Sequence, residues 1–476
     1  MKPLLRVPAS DVPALTRALE TALEGGPAVW PVPAPASTPA PASARAPANG
    51  DVAQIAPIPR VKARFARHDG GAVGSGRGAG IAAHVDDRIA LVVETSGSTD
   101  APKRVALSAD ALVASADATH DALGGAGQWL LALPGHYIAG AQVLVRGLLA
   151  GTPTVTVPGD RFDATAFAAT SAHLMPHVPH YTSLVPTQLA RLLDAAERDP
   201  FIAAALSSFD AVLVGGQALA PAIAERAAAA GVRVVRTYGS SETAGGCIYD
   251  GTPIGDTRVR FDDQRIELTS SSLADGYLGD PERTAEAFRT DRDGTRWYVT
   301  GDLGELTADG RLRVRGRADD VIISGGVKVV LGEVERAVRR VPGFEHAVAV
   351  RAADAEWGER LVVVAARTDV ADPSGSHPAD ADADSDTDSD SDSDADTDSD
   401  TDSDSDTDAV VASVSESPGR DERAAASGDL ETLVAATDAA GLPPAARPVR
   451  LMVVDRMPLL ASGKPDRRAI AALLSS

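Results

Sequence analysis

From Arg88 to Gly239, short apolar runs alternate with Ala-rich stretches of helical character. IALVVET precedes SADALVASADATHDAL, QWLLAL precedes AGAQVLVRGLLAG, TPTVTV precedes DATAFAAT, and DAVLVGG precedes PAIAERAAAAG, before a last run, VRVVRTYG. Runs this short and rich in Val, Leu and Ile read as buried strands. Strands separated by helices read as βαβ units in a largely parallel sheet. Such a sheet buries both faces and needs a large core. The 476 residues, 44% of them hydrophobic, can supply one and leave material for a second domain. Aromatics are only 4%, so Ala, Val and Leu must fill the interior.

Beyond Asp256 the texture changes to strand and turn. RVRFDDQRIELTS and RWYVTGDLGELTADGRLRVRGR alternate polar and apolar residues, and the Ala-Asp-Gly at 308–310 sits where a hairpin turn would. This predicts a small antiparallel β unit closing the large domain. After Arg317 we expect a helix over Gly332–Arg340, strands at HAVAVRA and RLVVVAAR, a helix near Leu430 and a strand at VRLMVVD. The fold class is therefore α/β. An N-terminal domain of βαβ layers with a small β unit spans 1–316, and a small α+β domain spans 317–476, with the boundary at 317–320.

Two segments lack apolar periodicity. Trp30–Asn49 is dominated by Pro and Ala and reads as an extended linker or loop. About 372–425 is an Asp/Ser/Thr/Ala tract, with aspartate at every second position from Asp380 to Asp408. Its self-repulsion predicts a disordered surface insertion. These fifteen acids also supply most of the net charge of −22, and what remains is an ordinary surface. No basic face argues for nucleic acid. One cysteine, Cys247, allows no internal disulfide and suits the cytoplasm. The N-terminus has no apolar stretch long enough for a signal peptide. Trp129–Val157, the most apolar region, is interrupted by Pro134, His136, Gln142 and Arg146, so no integral membrane segment is expected. His173, His177 and His180 imitate metal spacing, but Pro176 and Pro179 would break the helix that could align them. The oligomeric state stays open, a homodimer included.

Chemistry concentrates in a few places. Thr95, Ser96, Gly97, Ser98 and Thr99, then Asp100, Ala101, Pro102 and Lys103, crowd hydroxyls, a tight-turning glycine and a cation into one loop after an apolar strand. Such a loop can wrap phosphates with N–H and O–H donors. It lacks the G-x-x-x-x-G-K-[ST] pattern of a Walker A loop. Taken alone, it is equally compatible with an ordinary surface turn.

With four further segments in order, the chain resembles the acyl-adenylate-forming superfamily of acyl-CoA ligases, peptide-synthetase adenylation domains and luciferases. That family's phosphate loop reads T-S-G-[ST]-T-G-x-P-K, and here Asp100 replaces a glycine. Tyr238, Gly239, Ser240, Ser241, Glu242 and Thr243 resemble its Y-G-x-T-E box. Tyr298–Asp302 resembles Y-x-T-G-D, Gly316–Asp320 with Ile323–Gly326 its hinge box, and Pro458–Lys464 its C-terminal P-x-x-x-x-G-K. Gly215 and Gly216 match a Gly-rich strand end along the adenine. The resemblance implies that ATP, Mg²⁺ and CoA take part. Tyr238 would stack on adenine, Glu242 hold the metal, and Asp302 and Arg317 bind the ribose. Lys103 would serve the phosphates and Lys464 the catalysis. Asp319 would be the pivot of a mobile C-terminal domain.

About ninety residues precede the phosphate loop, fewer than in most of the superfamily. A shortened front half, with LALPGHYIAGAQVLVRGLLAG, SLVPTQLARLL and YGSSETAGGCIYDG, resembles the o-succinylbenzoate–CoA ligases of menaquinone biosynthesis. His136, in Pro134-Gly-His-Tyr-Ile-Ala-Gly140, then falls where that family has a P-x-x-H-x-x-G segment at the acyl pocket, and the resemblance places Gly245, Gly246 and Cys247 there too. Arg146 is a candidate partner for the second carboxylate of that dianion. Alternatives are another aryl- or acyl-CoA ligase, a stand-alone adenylation enzyme, or a nucleotide-binding protein without activity.

Overall fold

The computed structural model describes residues 1–33, 80–95, 102–159, 161–366, 420–460 and 464–474. Residues 372–419 of the acidic tract, most of the Pro/Ala-rich segment, and Ser96, Gly97, Ser98 and Thr99 lie outside the described residues, and the tract's expected end, 420–425, is instead the start of the helix Arg420–Ala439.

The alternating segment builds a seven-stranded sheet. Its order is Thr252–Pro253, Gly245–Tyr249, Val234–Ser240, Ala211–Val214, His180–Leu184, Gln128–Leu131, Val155–Thr156. The last five pair in parallel, and the first two add on antiparallel. Side chains alternate across it as strand geometry requires. Leu130, Val212 and Val214 face a core with Phe167, Leu189 and Leu192. Trp129, Leu131, Ala211 and Leu213 face the helices Ala109–Leu123 and Ile138–Ala150. Ser108 caps the first of these helices by accepting from the Ala111 amide at 3.2 Å, and Gly124 ends it in the left-handed region.

A second, mixed sheet departs from the expectation. Its order is Gly276–Tyr277, Lys103–Ser108, Ile89–Thr95, Ala28–Val32, Lys2–Pro8, Gly80–Val85. Ile89–Thr95 is thus no part of the parallel sheet. It pairs antiparallel with Lys103–Ser108, and the hydroxyl-rich loop joins these two strands rather than leading into a helix. Trp30–Val32 also proves to be strand rather than linker. Pro31 is tolerated because pairing with Ile89–Thr95 stops at Val29, so its missing N–H falls where the strand has one neighbour only. Trp30 is held by two guanidinium groups, Arg6 and Arg104, at 5.1 and 4.6 Å from its ring centre.

The third sheet contains Arg258–Asp262, Arg265–Thr269, Arg296–Leu306 and Phe288–Thr290, with Leu312–Arg317 paired to Arg296–Leu306 through the 308–310 turn. Arg317 ends this sheet, and Val321 starts the fourth. That sheet runs Val327–Val330, Val321–Ser324, Gly358–Ala366, Val348–Asp354, with Arg450–Val454 added in parallel to Gly358–Ala366. Helices Leu331–Val338 and Arg420–Ala439 accompany it. Its apolar clusters hold only residues from Ile322 onward. The three histidines do not share a helix. Ala164–Ser171 ends before them, His177 sits at φ 67°, and His180 opens a strand. Among the described residues no helix is long and apolar enough to cross a membrane, and none group as a metal-ligating cluster.

Candidate active site

Three strands meet at one edge of the N-terminal region. Tyr238, near the end of Val234–Ser240, donates its hydroxyl to Asp302 Oδ2 at 2.8 Å. Asp302 lies directly opposite Arg317 in the third sheet, and Arg317 Nη1 donates to Asp302 Oδ1 at 3.4 Å. Arg317 Nε donates to Asp319 Oδ1 at 3.0 Å. Burial opposes the Arg317 charge, but the hydrogen bond to Asp319 and the field of Asp302 outweigh it and raise its pKa. Burial likewise opposes ionisation of Asp319, and Arg317 overrides it, so the carboxyl titrates below its ordinary range.

Lys464 reaches this group from the other end of the chain. Its turn is closed by the Leu460 amide, which donates to the Lys464 carbonyl at 2.8 Å, and by a bridge between Leu459 and Pro465. The lysine Cε lies 3.8 Å from where a side chain on Gly216 would begin. Gly216 has φ +82°, a left-handed backbone that favours glycine. Residue 464 is exposed as a whole, yet its ammonium is partly withdrawn from water. Burial and the Arg317 charge lower its pKa, while Asp302 and Glu242 act in the opposite direction.

Glu242 sits in the short turn Ser241–Thr243, which follows Val234–Ser240 directly. It is buried, and among the described residues it forms no ion pair. Its Oε1 accepts from the Tyr277 hydroxyl at 2.9 Å. Lys103 Nζ lies 5.3 Å from the centre of the same Tyr277 ring. Tyr277 is therefore the link between the base of the hydroxyl-rich loop and the buried carboxylate. Nothing in the sequence marks it, because Ala-Asp-Gly-Tyr reads as a turn. A buried carboxylate with one hydrogen bond and no cationic partner suits a divalent cation, so Glu242 fits Mg²⁺. Thr95 and Lys103 face each other in register where the loop begins and ends. Gly239 and Ser240 pair with Gly246 and Gly245 across the adjoining strand.

A second cluster lies behind Gly245. Arg146, on the helix Ile138–Ala150, is buried rather than at the surface. Its guanidinium lies 5.0 Å from the centre of the Trp129 ring, and its Nε has no partner. Among the described residues no carboxylate pairs with it. Gly245, at φ +105°, leaves an opening toward it, since a side chain there would begin 4.0 Å from Arg146 Nη2 and 3.5 Å from Gln142 Cγ. Gln142 donates to the Ala244 carbonyl at 2.8 Å and leaves its own buried oxygen unpaired. His136 precedes the same helix, half-buried, with Nδ1 unpartnered and a pKa lowered by burial. Gly246 and Cys247 continue the adjoining strand, and burial pushes the Cys247 thiol up to about 12, where it is chemically inert.

His120, unremarked in the sequence, completes this cluster. Burial and then the Arg146 charge push its pKa down to about 4. An unfolded histidine titrates near 6.5. Between pH 6.5 and 4 the unfolded chain therefore binds a proton that the folded chain refuses. Stability held by the neutral ring is intact above pH 6.5 and is lost as pH falls, by about 3 kcal/mol in all. His120→Gln is expected to flatten this part of the stability curve in urea titrations between pH 7 and 4.5.

The family profile named AMP-binding enzyme matches residues 37–271. The probable 2-succinylbenzoate–CoA ligase of Mycobacterium tuberculosis strain H37Rv is 43% identical over 295 residues, 61% of this chain and 74% of that relative. The 2-succinylbenzoate–CoA ligase of Escherichia coli K12 is 31% identical over 287 residues, 58% of each chain. Among solved structures, the o-succinylbenzoate CoA synthetase MenE of Bacillus subtilis, in complex with the acyl-adenylate intermediate OSB-AMP, shares the fold. Its TM-score is 0.58 at 22% identity, over 80% of this chain and 69% of that one. A phosphate loop alone would not assign the chain, but with this relationship it belongs to the family of AMP-binding, acyl-adenylate-forming enzymes that includes the 2-succinylbenzoate–CoA ligases.

Proposed function

We propose that the protein converts o-succinylbenzoate, ATP and CoA to o-succinylbenzoyl-CoA, AMP and pyrophosphate, as an acid–thiol ligase of menaquinone biosynthesis working in the cytoplasm. A carboxylate oxygen attacks the α-phosphorus of ATP and pyrophosphate leaves. The CoA thiolate then attacks the acyl carbon and AMP leaves. The first step brings anions together, so it needs fixed positive charge. Lys464 supplies it between the carboxylate and the α-phosphate, and Lys103 supplies it at the departing phosphates. Asp302 accepts from the ribose hydroxyls, with Arg317 beside it. Glu242 would hold Mg²⁺, which neutralises phosphate charge when bound. The second step needs Lys464 withdrawn, which rotation of the C-terminal unit about Asp319 provides.

The observation that carries the choice of acid is Arg146. A buried guanidinium without a counter-anion is costly, and a substrate that keeps one carboxylate after activation supplies that anion. The test mixes the protein with Mg²⁺, ATP, CoA and a panel of o-succinylbenzoate, benzoates and fatty acids, and follows AMP and acyl-CoA by mass. Acyl-CoA from o-succinylbenzoate is the expected result. AMP only from the other acids would remove this substrate, and AMP from none would leave a nucleotide-binding protein.

Tyr277→Phe removes the hydrogen bond that orients Glu242. Second-sphere losses of this kind weaken metal binding about 10–100-fold. The Mg²⁺ concentration giving half-maximal pyrophosphate release is expected to rise accordingly.

A further inference from the structure

Three residues beyond Lys464, Arg467 opens the helix Arg467–Ala472 and is held by three acceptors from three separate segments. Its Nε lies 3.3 Å from Asp320 Oδ2, its Nη2 2.5 Å from Glu335 Oε1, and its Nη1 donates to the Ala349 carbonyl at 3.0 Å. Each acceptor is itself fixed. Glu335 is buried, accepts from the Ala349 amide at 3.0 Å and pairs with Arg339 at 3.1 Å. Asp320 directly follows Asp319, and its carbonyl accepts from the Leu331 amide at 3.0 Å.

The chain between Lys464 and Arg467 is braced as well. The Asp466 amide donates to the Pro458 carbonyl at 2.9 Å. The Asp466 carboxylate caps the helix by accepting from the Arg468 and Ala469 amides. Lysine has a long side chain with four rotatable bonds, and residue 464 is exposed as a whole. Only a rigid base can keep such an ammonium in one place.

We propose that Arg467 is a positioning residue for the adenylation step. It locks the Lys464 turn to the segment immediately after Asp319, so that Lys464 travels with the hinge as one body. The proposal rests on the two-step ligase reading above. Only adenylation needs Lys464 in place. Loss of the clamp therefore damages adenylation and leaves the thioester step alone. An Arg467 that merely neutralised Glu335 would affect folding and both steps together.

The test uses Arg467→Met, Arg467→Lys and Asp320→Asn, each with and without Lys464→Ala. Pyrophosphate release without CoA reports the first step, and thioester formation from supplied acyl-adenylate reports the second. Small misplacements of a reacting group cost up to about 100-fold, so Arg467→Met is expected to slow adenylation 10–100-fold. Thioester formation stays unchanged, and Arg467→Lys restores part of the loss. On top of Lys464→Ala, Arg467→Met adds nothing. An additive loss in that background, equal loss of both steps, or no loss in either would overturn the proposal. Should Arg467→Met fail to fold, Asp320→Asn carries the same comparison, since it leaves the Glu335 contact intact. Wild-type protein that makes no adenylate from any acid would instead remove the ligase reading itself.

Discussion

Lys464→Ala is expected to slow acyl-adenylate formation about 10²–10³-fold, the usual loss when one preorganised donor to developing charge is removed. Thioester formation from a supplied acyl-adenylate should be nearly unaffected, because that step proceeds with the lysine withdrawn. The two rates are separable by omitting CoA in one assay and ATP in the other. Loss of both to the same degree would contradict rotation about Asp319. The proton on Lys464 gives a second expectation. Burial and Arg317 lower its pKa, and the charged form is the active one. The adenylation kcat/KM therefore falls as pH rises through a value below the ordinary lysine figure of about 10.4. Lys464→Arg, which stays charged, should lose that alkaline limb.

Arg146→Met is expected to reduce kcat/KM for o-succinylbenzoate by about 2–5 kcal/mol, the range for truncating one member of a buried charge pair. That corresponds to roughly 30-fold to several-thousand-fold. A benzoate with a single carboxylate gains nothing from Arg146, so its rate should not fall. Stability gives an independent readout. The free protein buries this guanidinium against Trp129 with no carboxylate, and an apolar residue of similar volume there removes a desolvation cost. The melting temperature without substrate should stay level or rise. A fall of several degrees with no change in substrate preference would make Arg146 a structural residue.

Four strands of the parallel sheet, Gln128–Leu131, Val155–Thr156, Ala211–Val214 and Val234–Ser240, were legible because each lies in a short apolar run, three of them followed by a helix. The fifth, His180–Leu184, was hidden because its run, HYTSL, is mostly polar. The mixed front sheet was hidden. Lys103–Ser108 reads as the tail of a loop, Pro31 interrupts the pattern of Ala28–Val32, and Gly276–Tyr277 is two residues long. The same sheet hides Tyr277, whose partner Glu242 is 35 residues away and reached only through pairing to Lys103–Ser108. Glu242, Asp302, Arg317 and Lys464 could be named from local motifs, since each sits in a short run whose residue types are constrained together. Arg146 could be named, but its burial could not be foreseen. Helix Ile138–Ala150 is enclosed on every side, so residues 140–147 are all buried and the helix has no polar face to set it apart. His120 escaped for the related reason that one histidine on an Ala-rich helix carries no sign of the charge it will face.

The most direct measurement leaves CoA out. The protein is incubated with o-succinylbenzoate, ATP and Mg²⁺, and the bound small molecule is weighed after rapid removal of free ligand. The structure predicts o-succinylbenzoyl-adenylate held by the wild-type chain and absent from Lys464→Ala. ATP recovered unchanged from both, with the nucleotide bound and the acid present, would contradict it.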